Sequence, residues 1–245
     1  MKIVIIGYGK MGHMIEEVAL ERGHEITCVI DRCAVGSSQS DCKTANAVGP
    51  ASPVRYYSPE EGFETEAFRS ADVAIEFTTP LTAKDNILRA WAQGVPVVCG
   101  STGWDAASLM AEDKRIHERP MLIWKSNFSV GVNIFFDLNK QLASAMKSQP
   151  QYTPSITEIH HIHKLDKPSG TAKTLSNDIM SAAKPLNGDA TLNDVPIESI
   201  REGEVPGTHE VKWDSEEDTI VITHIAKGRR GFALGAVLAA EGLTR

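Results

Sequence analysis

The sequence has few cysteines, no long apolar run and no excess of basic charge. Its four cysteines, Cys28, Cys33, Cys42 and Cys99, lack CxxC spacing. They read as reduced, mostly buried thiols of a cytoplasmic protein, with Cys28 and Cys99 inside apolar, strand-like runs. No stretch approaches the roughly 18 apolar residues of a membrane-spanning helix. Residues 1–9 are apolar but short and broken by glycine, and no small-residue cleavage site follows them. They read as a buried strand rather than a signal peptide. The formal net charge of −7 disfavours nucleic acid or an anionic membrane surface as partner. There is no internal repeat and no low-complexity tract. What remains is an ordinary globular composition, 42% hydrophobic and 23% charged, over 245 residues. That length accommodates one large domain or two modest ones.

KIVIIG (2–7) is short, β-branched and almost wholly apolar, as a strand buried on both faces requires. It runs directly into Gly7-Tyr8-Gly9-Lys10-Met11-Gly12, a G-x-G-x-x-G pattern. Met11, Met14, Ile15, Val18 and Ala19 then follow at helical spacing, and Gly23 is a natural stop. EITCVID (25–31) reads as a second strand ending in Asp31, nineteen positions beyond Gly12. The pattern alone is weak, but here strand, helix, second strand and acid all stand in order. Gly7 permits a tight turn, Gly9 lets the backbone approach a pyrophosphate, and Gly12 lets helix and strand pack closely. The helix N-terminus favours the phosphates, and Asp31 is placed to accept from ribose hydroxyls.

The alternation continues. Residues 72–77, 95–100 and 121–124 read as strands, and helices open after 78 and 101. Thr79 or Thr82 is placed to cap the first of these helices. This is the pattern of a doubly wound parallel sheet, which binds ligands beyond its carboxyl strand ends. Those ends carry Phe77-Thr78-Thr79, Gly100-Ser101-Thr102-Gly103 and Ser126-Asn127-Phe128, whose small residues leave room for a dinucleotide. Residues 34–69 are polar and read as loops with one short strand near 54–57.

Residues 127–146 read as a long helix. SITEIHHIHKLD then alternates as a strand, with Ile156, Glu158, His160 and Ile162 on one face and Thr157, Ile159, His161 and His163 on the other. Pro168 makes 165–168 a loop. Ser169 can cap the next helix, striped by Ala172, Leu175, Ile179, Ala182 and Ala183. The amides of Gly170 and Thr171 at its start form an anion site. Histidines, lysines and such an amide nest suit a small anionic substrate that must receive a proton. A zinc site on His160, His161 and His163 is disfavoured: no cysteine is near, a strand splits the ligands, and Lys164 repels a cation. No metal is expected. Beyond Pro185 the chain is polar to about Gly207, after which 208–213 and 218–226 read as antiparallel strands joined by an acidic turn. The final helix, GFALGAVLAAEGL, is so apolar that it must be buried, packed back on the first domain.

EIHHIHKLDKPSGTA resembles the signature of the dihydrodipicolinate reductase family, E-x-H-H-x-x-K-x-D-x-P-S-G-T-A. GYGKMG, DVAIEFTTP, VVCGSTGW, SNFSVGVN, VPGTHEV and GFALGAVLAAE extend the likeness along the chain. It departs at Lys167 (usually alanine), Ser101 (usually threonine), Lys125 (commonly small) and Gly228 (commonly serine), none of which removes a group the chemistry needs. The resemblance implies reduction of 4-hydroxy-tetrahydrodipicolinate by NADH or NADPH, on the diaminopimelate route to lysine. It implies His160 as proton donor/acceptor, Lys164 as proton donor, and His161, Gly170 and Thr171 as substrate contacts. It implies Gly7, Tyr8, Gly9, Lys10, Met11, Gly12, Asp31, Arg32, Gly100, Ser101, Thr102, Lys125, Ser126, Asn127 and Phe128 as cofactor contacts, beside Phe77 and Thr78. It implies a Rossmann-type α/β domain of residues 1–128 plus 229–245, and a smaller α+β domain, 129–228, that binds substrate and assembles a homotetramer. Two other classes stand beside it. A sugar or aldehyde oxidoreductase on the same fold is disfavoured, because no glutamate-lysine-proline motif stands at CGSTGW. A non-catalytic cofactor sensor is disfavoured by the intact histidine–lysine cluster.

Overall fold

The computed structural model describes residues 1–32, 54–183 and 194–244. The expectations for Cys33, Cys42 and most of the polar segment after residue 33 lie outside these residues, as does the Ala183 side chain. The chain divides into two compact units, Met1–Ser129 with Arg230–Arg245, and Val130–Arg229.

The first unit opens with β1 (Lys2–Ile6), α1 (Lys10–Glu21) and β2 (Glu25–Ile30). β3 (Arg55–Tyr57) follows, then two single-turn helices, α2 (Pro59–Gly62) and α3 (Glu66–Arg69). These helices stand where loops were expected. Pro59 at the first helical position and the Thr65 side chain, which accepts from Phe68 N–H, start them. β4 (Val73–Glu76), α4 (Ala83–Ala92), β5 (Val97–Cys99), α5 (Ala106–Ile116) and β6 (Leu122–Trp124) complete the alternation. All six strands are parallel, in the order β3-β2-β1-β4-β5-β6. The order reverses between β1 and β4, the position where such sheets open a crevice.

β1 and β4 are buried on both faces, which explains their continuous apolar sequences. One face packs Ile3, Ile5 and Ile75 on α1 and on α8 (Arg230–Leu243). α8 contributes Ala233, Ala236, Val237 and Ala240, all fully buried. Burying one such valine contributes about 1.5–3 kcal/mol. The other face packs Val4, Ile6 and Ala74 with Phe63, Phe68 and Ile87.

The second unit holds α6 (Val130–Met146), β7 (Thr153–His160), α7 (Gly170–Ala183), β8 (Ile197–Arg201), β9 (Thr208–Asp214) and β10 (Thr219–Ile225). Its mixed sheet has the order β10-β9-β7-β8, with β7 parallel to β8 and antiparallel to β9. Alternate residues of β7 and β9 point into one core, where Ile156, Val211 and Trp213 meet Phe135, Ala172, Leu175 and Ile179. β8 lies inside the segment read as merely polar; its hydrophobic positions, Ile197 and Ile200, are too few to announce a strand. β7 ends at His160, so the expected alternation stops there. Ile162 and His163 occupy a turn and are exposed instead of continuing the two faces. Among the described residues, no helix is long and apolar enough to cross a membrane.

Candidate active site: a glycine cradle and a buried carboxylate cluster

In the first unit the β1–α1 turn is built by glycines. Gly7 has φ +92°, and a Cβ there would lie 2.4 Å from the Phe77 carbonyl oxygen. A Cβ on Gly12 would lie 2.3 Å from the Gly7 carbonyl oxygen. Gly9, the residue before α1, faces open space and offers no side-chain cap to the helix amides, which begin at Lys10 and Met11. Tyr8 N–H donates to Asp31 Oδ2 at 2.6 Å, fixing the end of β2 against the turn. The Tyr8 hydroxyl bonds Glu16, and burial first, then that acceptor, pushes the phenol far up and keeps it protonated.

Beyond β4, Glu76 is fully buried and organises the next loop. It accepts from Thr78 N–H at 3.0 Å, from the Thr78 hydroxyl, and from the Cys99 thiol at 2.9 Å. Burial, then the Glu76 charge, pushes that thiol well up, so it donates rather than ionises. Ser101 Oγ also accepts from Thr78 N–H, at 2.9 Å. Ser101 carbonyl oxygen receives the indoles of Trp104 and Trp124, each at 2.8 Å. Gly100 lies against the Phe77 ring, where a Cβ would approach to 2.2 Å. Thr82 holds the N-cap position of α4, but its side chain bonds Thr78 and Thr79 hydroxyls and does not cap the helix. Thr102, Lys125 and Ser126 are exposed just past β5 and β6, while Asn127 Oδ1 accepts from Ser129 N–H and Phe128 is buried on Gly235.

A cleft of about 370 Å³ opens at the β1–β4 switch point. It brings together Gly7, Gly9, Asp31, Arg32, Phe77 and Thr78. Arg89 of α4 also lines it, a residue sequence reasoning missed. The glycine cradle and open helix end fit a dinucleotide pyrophosphate, since bulk is excluded where a phosphate must approach backbone.

In the second unit the functional residues gather at the end of β7. Sheet register sets Glu158 opposite His209 and His160 opposite Arg201. Glu158 is fully buried. It accepts Ser169 N–H on both oxygens, at 3.0 and 3.1 Å, and pairs with Arg201 at 3.4 Å. Its Oε2 lies 3.5 Å from His160 Nδ1 and 3.8 Å from His209 Nε2. The two imidazoles meet edge to face, with centroids 4.9 Å apart. Ser169 Oγ caps α7 through Ala172 N–H and contacts His209 Nε2 at 3.2 Å. Gly170 and Thr171 are the first two residues of α7, where backbone N–H groups have no carbonyl one turn back. Lys164 Nζ pairs with Asp166 at 2.7 Å. Arg201 donates to the carbonyls of Lys164, at 3.3 Å, and of Asp166, clasping this loop. His161 is half-buried at the start of the loop, and its ring lies 6.1 Å from that of His163.

The charges follow from this packing. Burial lowers the His160 pKa, Glu158 opposes that, and Lys164 and Arg201 reinforce it. His209 is pushed down to about 4, by burial first and then by His160. Burial alone would raise Glu158, but the Ser169 hydrogen bonds, the nearby Ser199 hydroxyl and the His160 charge outweigh it, and the carboxyl is held low. Glu158, His160 and His209 place potential ligand atoms within 4.8 Å of one another, a different set from the three histidines weighed above. Ser169 and Arg201 already occupy the Glu158 oxygens, and Arg201 and Lys164 oppose a cation there. Glu158 and His209 lie in segments legible in sequence only as strands, and Arg201 in one legible only as polar.

The comparisons with known proteins agree along the chain. Residues 1–128 match the family model for the N-terminus of dihydrodipicolinate reductase, and residues 131–245 that for its C-terminus. The 4-hydroxy-tetrahydrodipicolinate reductase of Christiangramia forsetii is 40% identical, over 99% of this chain and 92% of that protein. That of Staphylococcus aureus is 33% identical, over 99% and 95%. The dipicolinate-bound dihydrodipicolinate reductase of a Paenisporosarcina species shares the fold, with TM-score 0.78, 21% identity and coverage of 99% and 94%. Cradle, carboxylate cluster and relatives lead to one assignment: the chain belongs to the dihydrodipicolinate reductase family of oxidoreductases.

Proposed function

We infer that the chain reduces 4-hydroxy-tetrahydrodipicolinate to tetrahydrodipicolinate, consuming NADH or NADPH and a proton and releasing water. The observation that carries the reading is the grouping of His160, Lys164 and the amide end of α7 around one buried carboxylate. In the first unit Gly7, Tyr8, Gly9, Lys10, Met11 and Gly12 hold the pyrophosphate, and Asp31 the adenosine ribose. Phe77, Thr78, Gly100, Ser101, Thr102 and residues 125–128 shape the remainder of the site. The reduced nicotinamide, when bound, supplies the hydride. The chain does the rest. Gly170, Thr171 and His161 hold the substrate carboxylates, and the Lys164 ammonium offsets their charge. His160 is the proton donor as charge develops on the ring, and bound substrate carboxylates favour its imidazolium against the burial that lowers its pKa. Asp31 beside Arg32 favours NADH while tolerating the extra phosphate of NADPH.

The second unit is also the assembly unit of a homotetramer in this reading. β10 is a sheet edge with Ile220, Val221 and Ile225 exposed, and α6 exposes Ile134 and Leu138. A fully active monomer by light scattering would remove that part. The work is cytoplasmic, where Cys28 and Cys99 stay reduced.

NADH oxidation on adding enzymatically made 4-hydroxy-tetrahydrodipicolinate tests the activity. His160→Gln and Lys164→Ala are each expected to lower kcat by roughly 10²-fold or more, the effect of a lost general acid. NADH affinity, measured separately by fluorescence, should hold. Near-normal kcat in both variants would remove the proton-donor assignment.

A further inference from the structure

We propose that Glu158 is a positioning residue for this reaction: one buried carboxylate that holds the His160 ring, the Lys164 loop and the amide end of α7 in a single working geometry. The inference rests on the function proposed above and deepens it.

Three attachments converge on the carboxylate. Toward α7, both oxygens receive Ser169 N–H, the residue that caps the helix and contacts His209. Toward the Lys164 loop, Oε1 pairs with Arg201, whose remaining N–H groups hold the Lys164 and Asp166 carbonyls. Toward His160, Oε2 faces a buried Nδ1 that has no hydrogen-bond partner among the described residues. Beside the ring the backbone passes at Gly207, where an added Cβ would lie 3.2 Å from His160 Nε2, so glycine there leaves the imidazole its place. A carboxylate with no cation beside it would be costly to bury, and one whose hydrogen bonds were merely structural would not need to face two imidazoles.

The electrostatics give Glu158 a second consequence. The charged or titratable groups facing His160 are Glu158 on its own strand, Lys164 and Asp166 from the loop, Arg201 from β8 and His209 from β9. His224 of β10 acts on His209 in turn. Glu158 and Asp166 favour the imidazolium, while Lys164 and Arg201 disfavour it. Removing Glu158 leaves the two cations opposed by Asp166 alone; removing Arg201 leaves the two anions opposed by Lys164 alone.

That opposition gives the test. The titration of His160 is followed by NMR on full-length protein with histidine labelled at the ring carbon, assigned against His160→Gln. Glu158→Gln is expected to lower the His160 midpoint by about one pH unit, and Arg201→Met to raise it by several tenths. Glu158→Gln should also lower kcat about tenfold with NADH affinity unchanged, and Glu158→Asp, which keeps the charge, should return the midpoint toward wild type. Loss of packing alone would shift the first two variants the same way or not at all, and that result overturns the proposal. If Glu158→Gln does not fold, Arg201→Met decides: a raised midpoint supports the proposal, and an unchanged or lowered one overturns it. The titration needs no substrate. Wild-type protein that fails to turn over hydroxy-tetrahydrodipicolinate would therefore overturn the function while leaving this result standing.

Discussion

At the end of β1 the chain works by leaving side chains out; at the end of β7 it works by crowding them in. Gly7, Gly9 and Gly12 shape a space that backbone atoms line, and added bulk at Gly7 or Gly12 meets backbone oxygen. Glu158, His160, Arg201 and His209 fill their space with charge, drawn from three adjacent strands. The first region is sensitive to volume and indifferent to pH. The second is sensitive to pH and to the sign of each charge. On the proposed function, a generic phosphate is met by geometry within one chain, whereas proton delivery is met by electrostatics.

Three changes press on that contrast. The largest effect is expected for Gly12→Val, which forces Cβ onto the Gly7 carbonyl, 2.3 Å away. Overpacking of this kind costs about 3 kcal/mol or more, and nucleotide binding should be lost with it. Calorimetry with NADH checks this, and an unchanged His160 titration in the same variant would confine the damage to the first unit.

Next comes acid sensitivity. His209 is held at about 4 in the folded protein, against 6.5 when unperturbed. Its folded pKa is lowered, so between those values the unfolded chain binds a proton that the folded chain refuses. The stability is complete above about pH 6.5 and falls by up to about 3 kcal/mol as pH drops to about 4. The lowered carboxyl of Glu158 adds its own loss only below its unfolded range, at more acidic pH. Urea unfolding from pH 7 to 4 measures the slope, and His209→Gln should flatten it. His160 and His224, also lowered, leave a smaller residual slope, and an undiminished slope in His209→Gln would mean the acid sensitivity lies elsewhere.

The smallest effect is Asp31→Ala, expected to weaken NADH about tenfold and NADPH less, since Asp31 both meets the ribose and receives Tyr8 N–H. Selective loss of NADPH would refute the ribose placement.

The same contrast governs what the sequence could tell. The cradle is local: strand, glycines, helix and acid lie within residues 2–31, and the pattern carries its geometry with it. The parallel, doubly wound character of the first sheet followed from the strand–helix alternation, whereas its strand order came only with the structure. His160, Lys164 and the Ser169 cap were also legible, being packed into one short stretch. Arg201 and His209 were not. Arg201 reaches Glu158 across 43 residues and His209 reaches Ser169 across 40, and only sheet register joins them. A buried glutamate in an alternating strand looks no different in sequence from an exposed one. Glu76 was missed for the same reason, its partners Thr78 and Cys99 coming from two strand ends.

The division of the chain has a consequence for its biogenesis. The first unit is interrupted after Ser129 and resumes only at Arg230, and α8 supplies Ala233, Ala236, Val237 and Ala240 to its core. On the ribosome, every residue of the second unit is made before α8 emerges. Domains usually fold in order of synthesis. Here the unit whose synthesis starts first must wait, one face of its sheet covered by α1 alone, until the inserted unit is complete. A nascent chain stalled before α8 would leave the share of the Ile3, Ile5 and Ile75 face that α8 covers open to chaperones.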